Sequence, residues 1–136
     1  MIEERARSGK PEADEEFFAA IAEGLLARSR RDPTLMRLFL FSALERHSLS
    51  QRFFRTYTTV YWDLLSKYIR GRMRAGEFRK TNPFLAARSF IGMVGHYNIM
   101  HSLLGPGKYP DYSDRLVSKT LARIWLGGMR TKNGAS

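Results

Sequence analysis

Residues 82–104, NPFLAARSFIGMVGHYNIMHSLL, read as one amphipathic helix whose two sides differ in kind. Asn82 offers a capping oxygen and Pro83 the fixed φ of a first helical position, so the helix starts there. Gly105, Pro106 and Gly107 stop it after Leu104. One side carries, at helical spacing, Leu85, Arg88, Gly92, Gly95, His96, Ile99 and Leu103. Each interior glycine costs about 1 kcal/mol relative to alanine, and close approach of another helix backbone is the usual offset. The other side carries Phe90, Met93, Val94, Tyr97, Asn98, His101 and Leu104. Rings, a thioether and a few hydrogen-bonding groups make the lining of a small-molecule pocket, and equally of ordinary core. Periodicity alone leaves both open.

The rest of the chain is also helical in pattern, with no competing strand signal. Asp14, Glu15 and Glu16 mark a start whose stripe is Phe17, Phe18, Ile21 and Leu25, ending near Arg30. Asp32 and Pro33 open a second helix to about Arg46. Leu35, Met36, Leu38, Phe39, Leu40, Phe41, Ala43 and Leu44 surround most of that helix, so it is expected to lie buried between neighbours. Ser48 and Gln51 form a capping box before the longest helix, spanning most of 49–75 with the stripe Leu49, Phe53, Tyr57, Val60, Tyr61, Leu64 and Tyr68. Gly76 stops it, with Phe78 available for the accompanying apolar contact. Pro110 and Asp111 open the last helix, whose stripe is Val117, Leu121, Ile124, Trp125 and Gly128. The expected fold is all-α, a bundle of about five helices over residues 14–129. Residues 1–13 are read as a tail or the end of a connecting helix, and 130–136 as a disordered tail.

With 136 residues, 43% of them hydrophobic, the chain is long enough to bury a core without a metal or a covalent staple. The absence of cysteine excludes disulfides and thiolate metal sites and fits the cytoplasm. No apolar run approaches the roughly 18 residues of a membrane span, and none resembles a signal peptide. No membrane partner is expected. The formal charge of +10 would suit nucleic acid, but the cations are spread out. Their two small concentrations, Arg28, Arg30 and Arg31, and Arg70, Arg72, Arg74, Arg79 and Lys80, fall at helix C-termini, where they offset the dipole as solvated side chains. His96 and His101 are five apart on different faces and His47 sits near a loop, so no metal site is expected. Glu23, Glu45 and Asp63 form no acid–base pair, and no phosphate loop or nucleophile elbow is present. Neither a cofactor nor catalysis is expected.

The stretch from Tyr68 to Arg88, with Gly76, Glu77, Phe78, Arg79, then Asn82, Pro83, Ala86 and Ala87, and later Leu103, Leu104, Gly105 and Pro106, resembles the C-terminal domain of TetR-type transcriptional regulators. Arg31 to Leu35 is similar to that family's Asn-Pro-Glu-Leu start of its sixth helix. The resemblance runs from about residue 14 to 129. It implies a homodimer in which the last two helices form a four-helix bundle with their twins, through Leu85, Gly92, Gly95, Ile99, Leu103, Val117, Leu121, Ile124, Trp125 and Gly128. It further implies a pocket for a hydrophobic effector inside the first three helices and the bulky face of the fourth. Phe54, Tyr57, Tyr61, Phe90, Val94, Tyr97, Asn98 and His101 are the expected lining, and the aromatics favour an apolar, planar or acyl compound. Such regulators read DNA through an N-terminal helix-turn-helix; nothing before residue 14 resembles it, so DNA contact is expected only through a domain outside this sequence. Two other readings stand beside this one. One is a stand-alone helical adaptor binding protein through its small-residue face; the other is a basic domain that coats RNA or anionic membrane.

Overall fold

The computed structural model describes residues 9–46, 48–104 and 111–131; the side chains of Leu49, Ser50, Phe53, Phe54, Tyr57, Leu103 and Leu104 lie outside the described set. Among the described residues the chain is helical apart from its turns and one isolated bridge. The helices are α1 (Pro11–Arg31), α2 (Pro33–Leu44), α3 (Ser48–Phe53), α4 (Thr59–Arg74), α5 (Pro83–Leu104) and α6 (Asp114–Met129), with a π-helical turn, Phe54–Thr58, joining α3 to α4. None is long and apolar enough to cross a membrane.

Local chemistry accounts for most boundaries. The Leu35 amide donates to Asp32 Oδ1 at 3.1 Å, and the Phe84 and Leu85 amides donate to Asn82 Oδ1 at 3.0 and 3.1 Å, so both Asx-Pro pairs cap as their residue types require. α4 closes with Gly76 at φ +79°: the Gly76 amide donates to the Met73 carbonyl and the Glu77 amide to that of Arg72, the paired bonds of a Schellman stop. The last helix begins later than Pro110 and Asp111. Ser113 caps it, its hydroxyl accepting from the Leu116 amide at 3.2 Å.

α1 lies along α6, and α4 along α5. Where the two pairs meet, Phe18 is fully buried at the centre of an aromatic core, with ring centroids 4.4 Å from Trp125, 5.0 Å from Phe90 and 5.6 Å from Tyr68. Trp125 Nε1 donates to Ser89 Oγ at 2.9 Å, which lets the indole be buried without an orphaned donor. The chain after α6 is pinned here too. Arg130 pairs with Phe78, the Arg79 amide donates to the Met129 carbonyl, and the Thr131 amide to that of Glu77. Arg130 and Thr131, read as tail from their polarity, are thus part of the bundle.

Three expectations change. α2 has no buried residue: Phe41 is 65% and Leu44 84% exposed, because among the described elements the helix packs on α1, α3 and α5 alone, at the edge of the bundle. The buried stripe of α4 is Leu65, Tyr68, Ile69 and Arg72, with Val60 exposed, because the wide π turn offsets the helix that follows it from the stripe ahead of it. Arg72 is not a solvated cation. Its side chain and that of Asp14 are each 1% exposed, with Nε and Nη2 each 2.8 Å from a carboxylate oxygen. The Tyr68 hydroxyl also donates to Asp14, at 2.6 Å, and Arg72 Nη1 donates to the Gly9 carbonyl at 2.8 Å. Burial, and then the bond to Asp14, push the Tyr68 phenol well above its ordinary range, so it remains a donor.

Candidate functional site

The aromatic core occupies only half of the bundle. Beyond it, α1 and α5 continue without α4 between them, and α2 and the π turn close the gap imperfectly. The result is a cavity of about 260 Å³. Leu25 and Ser29 come from α1, Met36, Phe39 and Leu40 from α2, Thr58 from the π turn and Tyr61 from the start of α4. The floor is α5, through Ile91, Val94, Gly95, Asn98 and Ile99. Most of these side chains are apolar, and the charged groups, Arg28 and Asp32, are exposed residues at the rim. The inward side of α2, through Met36, Phe39 and Leu40, therefore faces space that its neighbours do not fill, while Leu38, Phe41 and Leu44 stand on its exposed side.

A second chamber of about 220 Å³ lies further along α5, toward α6. Ser29 and Asn98 belong to both linings. The second is more polar: Tyr97, His101 and Ser102 of α5 face Arg30 of α1 and Asp114 of α6. Tyr97 and His101 stack with centroids 5.9 Å apart, and Ser29 Oγ meets Ser102 Oγ at 3.4 Å on the wall of this second chamber. Burial, and then the Asp111 carboxylate, raise the Tyr97 phenol, which stays neutral.

Of the expected lining, Tyr61, Val94 and Asn98 meet in the first chamber, while Tyr97 and His101 stand with Asn98 in the second. Phe90 is fully buried in the aromatic core, a turn too far toward the start of α5. The side chains of Phe54 and Tyr57 lie outside the described residues, although their backbone forms the π turn that borders the cavity. The α2 residues were missed in the sequence, as was Ser29. The signal was the apolar excess of α2, which burial seemed to explain, and a small polar residue one turn beyond Leu25.

The residues expected at a subunit contact divide in the same way. Leu85 and Ile124 are exposed at 59% and 61%, and Gly92 and Gly128 are open to solvent. Val117 and Trp125 are buried in the core of the single chain, and Leu121 packs against that core. Gly95 and Ile99 line the first chamber, and Leu103 falls outside the described side chains. No atom lies within 4 Å of where a Cβ on Gly92, Gly127 or Gly128 would stand, so no contact among the described residues explains these glycines.

Residues 15–123 match the family of AefR-like transcriptional repressor C-terminal domains. No curated protein and no solved structure matches the chain.

Proposed function

The chain belongs to the AefR-like repressor C-terminal domain family, of TetR type, and on that footing we propose that it senses a hydrophobic small molecule for a transcriptional repressor. The observation that carries this reading is the first chamber: a concave, mainly apolar space walled by four helices and a π turn, beside the buried aromatic core. Apolar cavities of this kind bind apolar molecules because the lining lacks partner atoms when empty. The role is regulatory, not catalytic. α1 connects the parts: its C-terminal half walls the cavity, its length rests on α6, and its start is where an N-terminal DNA-reading domain would join. An effector that prefers one placement of α1 shifts the separation of two such domains and with it operator affinity.

Toluene is a direct probe. Ligand binding only to the folded form raises stability by about 2.7 kcal/mol at a hundredfold excess over Kd, so saturating toluene should raise the melting temperature. A melting curve that toluene leaves in place would remove the effector reading.

The same proposal includes a homodimer through the exposed stripes of α5 and α6. Leu85, Gly92, Leu116, Ile124, Gly127 and Gly128 present apolar or small groups, and the helical glycines permit the close approach that a twin helix would exploit. Light scattering on the parent chain should give twice its 15.7 kDa, at high and low salt alike. Ile124→Glu places a charge at the centre of that contact and should weaken the dimer by at least about 100-fold, with helical content retained. A monomeric parent, or a variant that stays dimeric, contradicts the interface. A monomer associating with polyanions only at low salt would favour the RNA-coating alternative.

A further inference from the structure

Resting on the effector reading above, we propose that the effector is an uncharged amphiphile whose apolar body fills the first chamber and whose hydrogen-bonding head passes Asn98 into the second. Asn98 is 8% exposed and belongs to both linings, yet its side-chain amide makes no hydrogen bond to any described residue. An amide offers two donors and an acceptor, and here they face the two chambers and no protein partner. A ligand head at this position would supply the partner. The two linings share Asn98 and Ser29, so the chambers abut at these two residues.

Volume points the same way. Chambers of about 260 and 220 Å³ each fall short of the roughly 300–1,000 Å³ of small-molecule sites, whereas the two joined fall within that range. Charge then selects the head. Arg30 is held by Asp114 at 2.8 Å and faces Asp111 at 3.8 Å, and Asp111 also stands 3.9 Å from His101. A carboxylate head would meet two carboxylates beside a guanidinium that is already engaged. An ammonium head would find both carboxylates already facing Arg30, and would give up its hydration beside an apolar chamber for little return. A hydroxyl, ketone or amide incurs neither cost and finds neutral partners in Asn98, Ser29, Ser102 and the Tyr97 hydroxyl.

Calorimetric titration of the full chain with toluene, octan-1-ol, octanoate and octylammonium at neutral pH tests this. Octan-1-ol should bind at least about tenfold tighter than either charged analogue. Asn98→Leu, close in size but unable to hydrogen-bond, should weaken octan-1-ol by about three- to tenfold relative to toluene. Ser102→Leu, which fills the second chamber from its far wall, should do the same and serves if the first variant fails to fold. The proposal is overturned if a charged analogue equals octan-1-ol, or if the folded variants bind octan-1-ol as the parent does. Failure of the parent to bind both toluene and octan-1-ol would instead remove the effector reading on which the proposal rests.

Discussion

Gly95→Leu should leave the unliganded chain at least as stable as its parent and abolish toluene binding. Gly95 is an interior helical residue, so leucine gains up to about 1 kcal/mol of helix propensity. No atom lies within 4 Å of the position its Cβ would take, so the backbone has room for it. The space beyond is the first chamber, whose floor Gly95 forms beside Val94 and Asn98. A leucine there occupies most of what a small aromatic ring would fill, and it adds the dispersion contacts that the empty lining lacks. Thermal unfolding and calorimetry together give a signature that few substitutions share, a melting temperature held or raised with the ligand lost. Gly92→Leu is the contrast. Gly92 is equally free of neighbours but points to solvent, so the change should leave toluene binding intact and weaken self-association. If Gly95→Leu still binds toluene, the ligand sits elsewhere and the cavity is only a packing defect.

The two glycines show what could be read from residues alone. Both lie on the small side of α5 at a spacing of three, and that side was expected to meet a second subunit as a whole. The structure separates them, because the pattern on a helix gives the direction of a side chain but not what lies opposite at each height. The core stands against the first half of α5 and the cavity against the second, which is why Phe90 packs on Trp125 while Asn98 faces empty space. Features determined by neighbouring residues were legible: the caps at Asp32 and Asn82, the stop at Gly76 and the buried Phe78 behind it all follow from local chemistry. The π turn was not, since widening one turn requires no distinctive residue, and its consequence is the altered phase of α4 from Leu65 onward. Nor was the cavity wall from α2, whose Met36, Phe39 and Leu40 look the same in sequence whether they meet side chains or a void.

Arg72→Met should cost about 3–5 kcal/mol, a large part of the roughly 5–15 kcal/mol that holds a domain of this size together. Arg72 and Asp14 lie 58 residues apart, and each by itself reads as a charge placed near a helix end to suit the dipole. Together they are a buried pair, completed by the Tyr68 hydroxyl on one carboxylate oxygen and the Gly9 carbonyl on the guanidinium. Removing the arginine leaves the Asp14 carboxylate buried with Tyr68 as its remaining side-chain donor. The loss reflects that stranded charge more than the worth of the pair, so Asp14→Leu combined with Arg72→Met should recover most of it in urea unfolding. Recovery has a limit, because the guanidinium also ties Gly9, just ahead of α1, to the end of α4. The double variant should therefore bind toluene normally, the cavity being at the other end of α1, while residues 9–14 exchange their amide hydrogens faster than in the parent. Unchanged exchange there would mean that the pair stabilises the bundle without holding the start of α1. Under the proposed sensor reading, coupling from the cavity to a DNA-reading domain would then have to leave the bundle by another element.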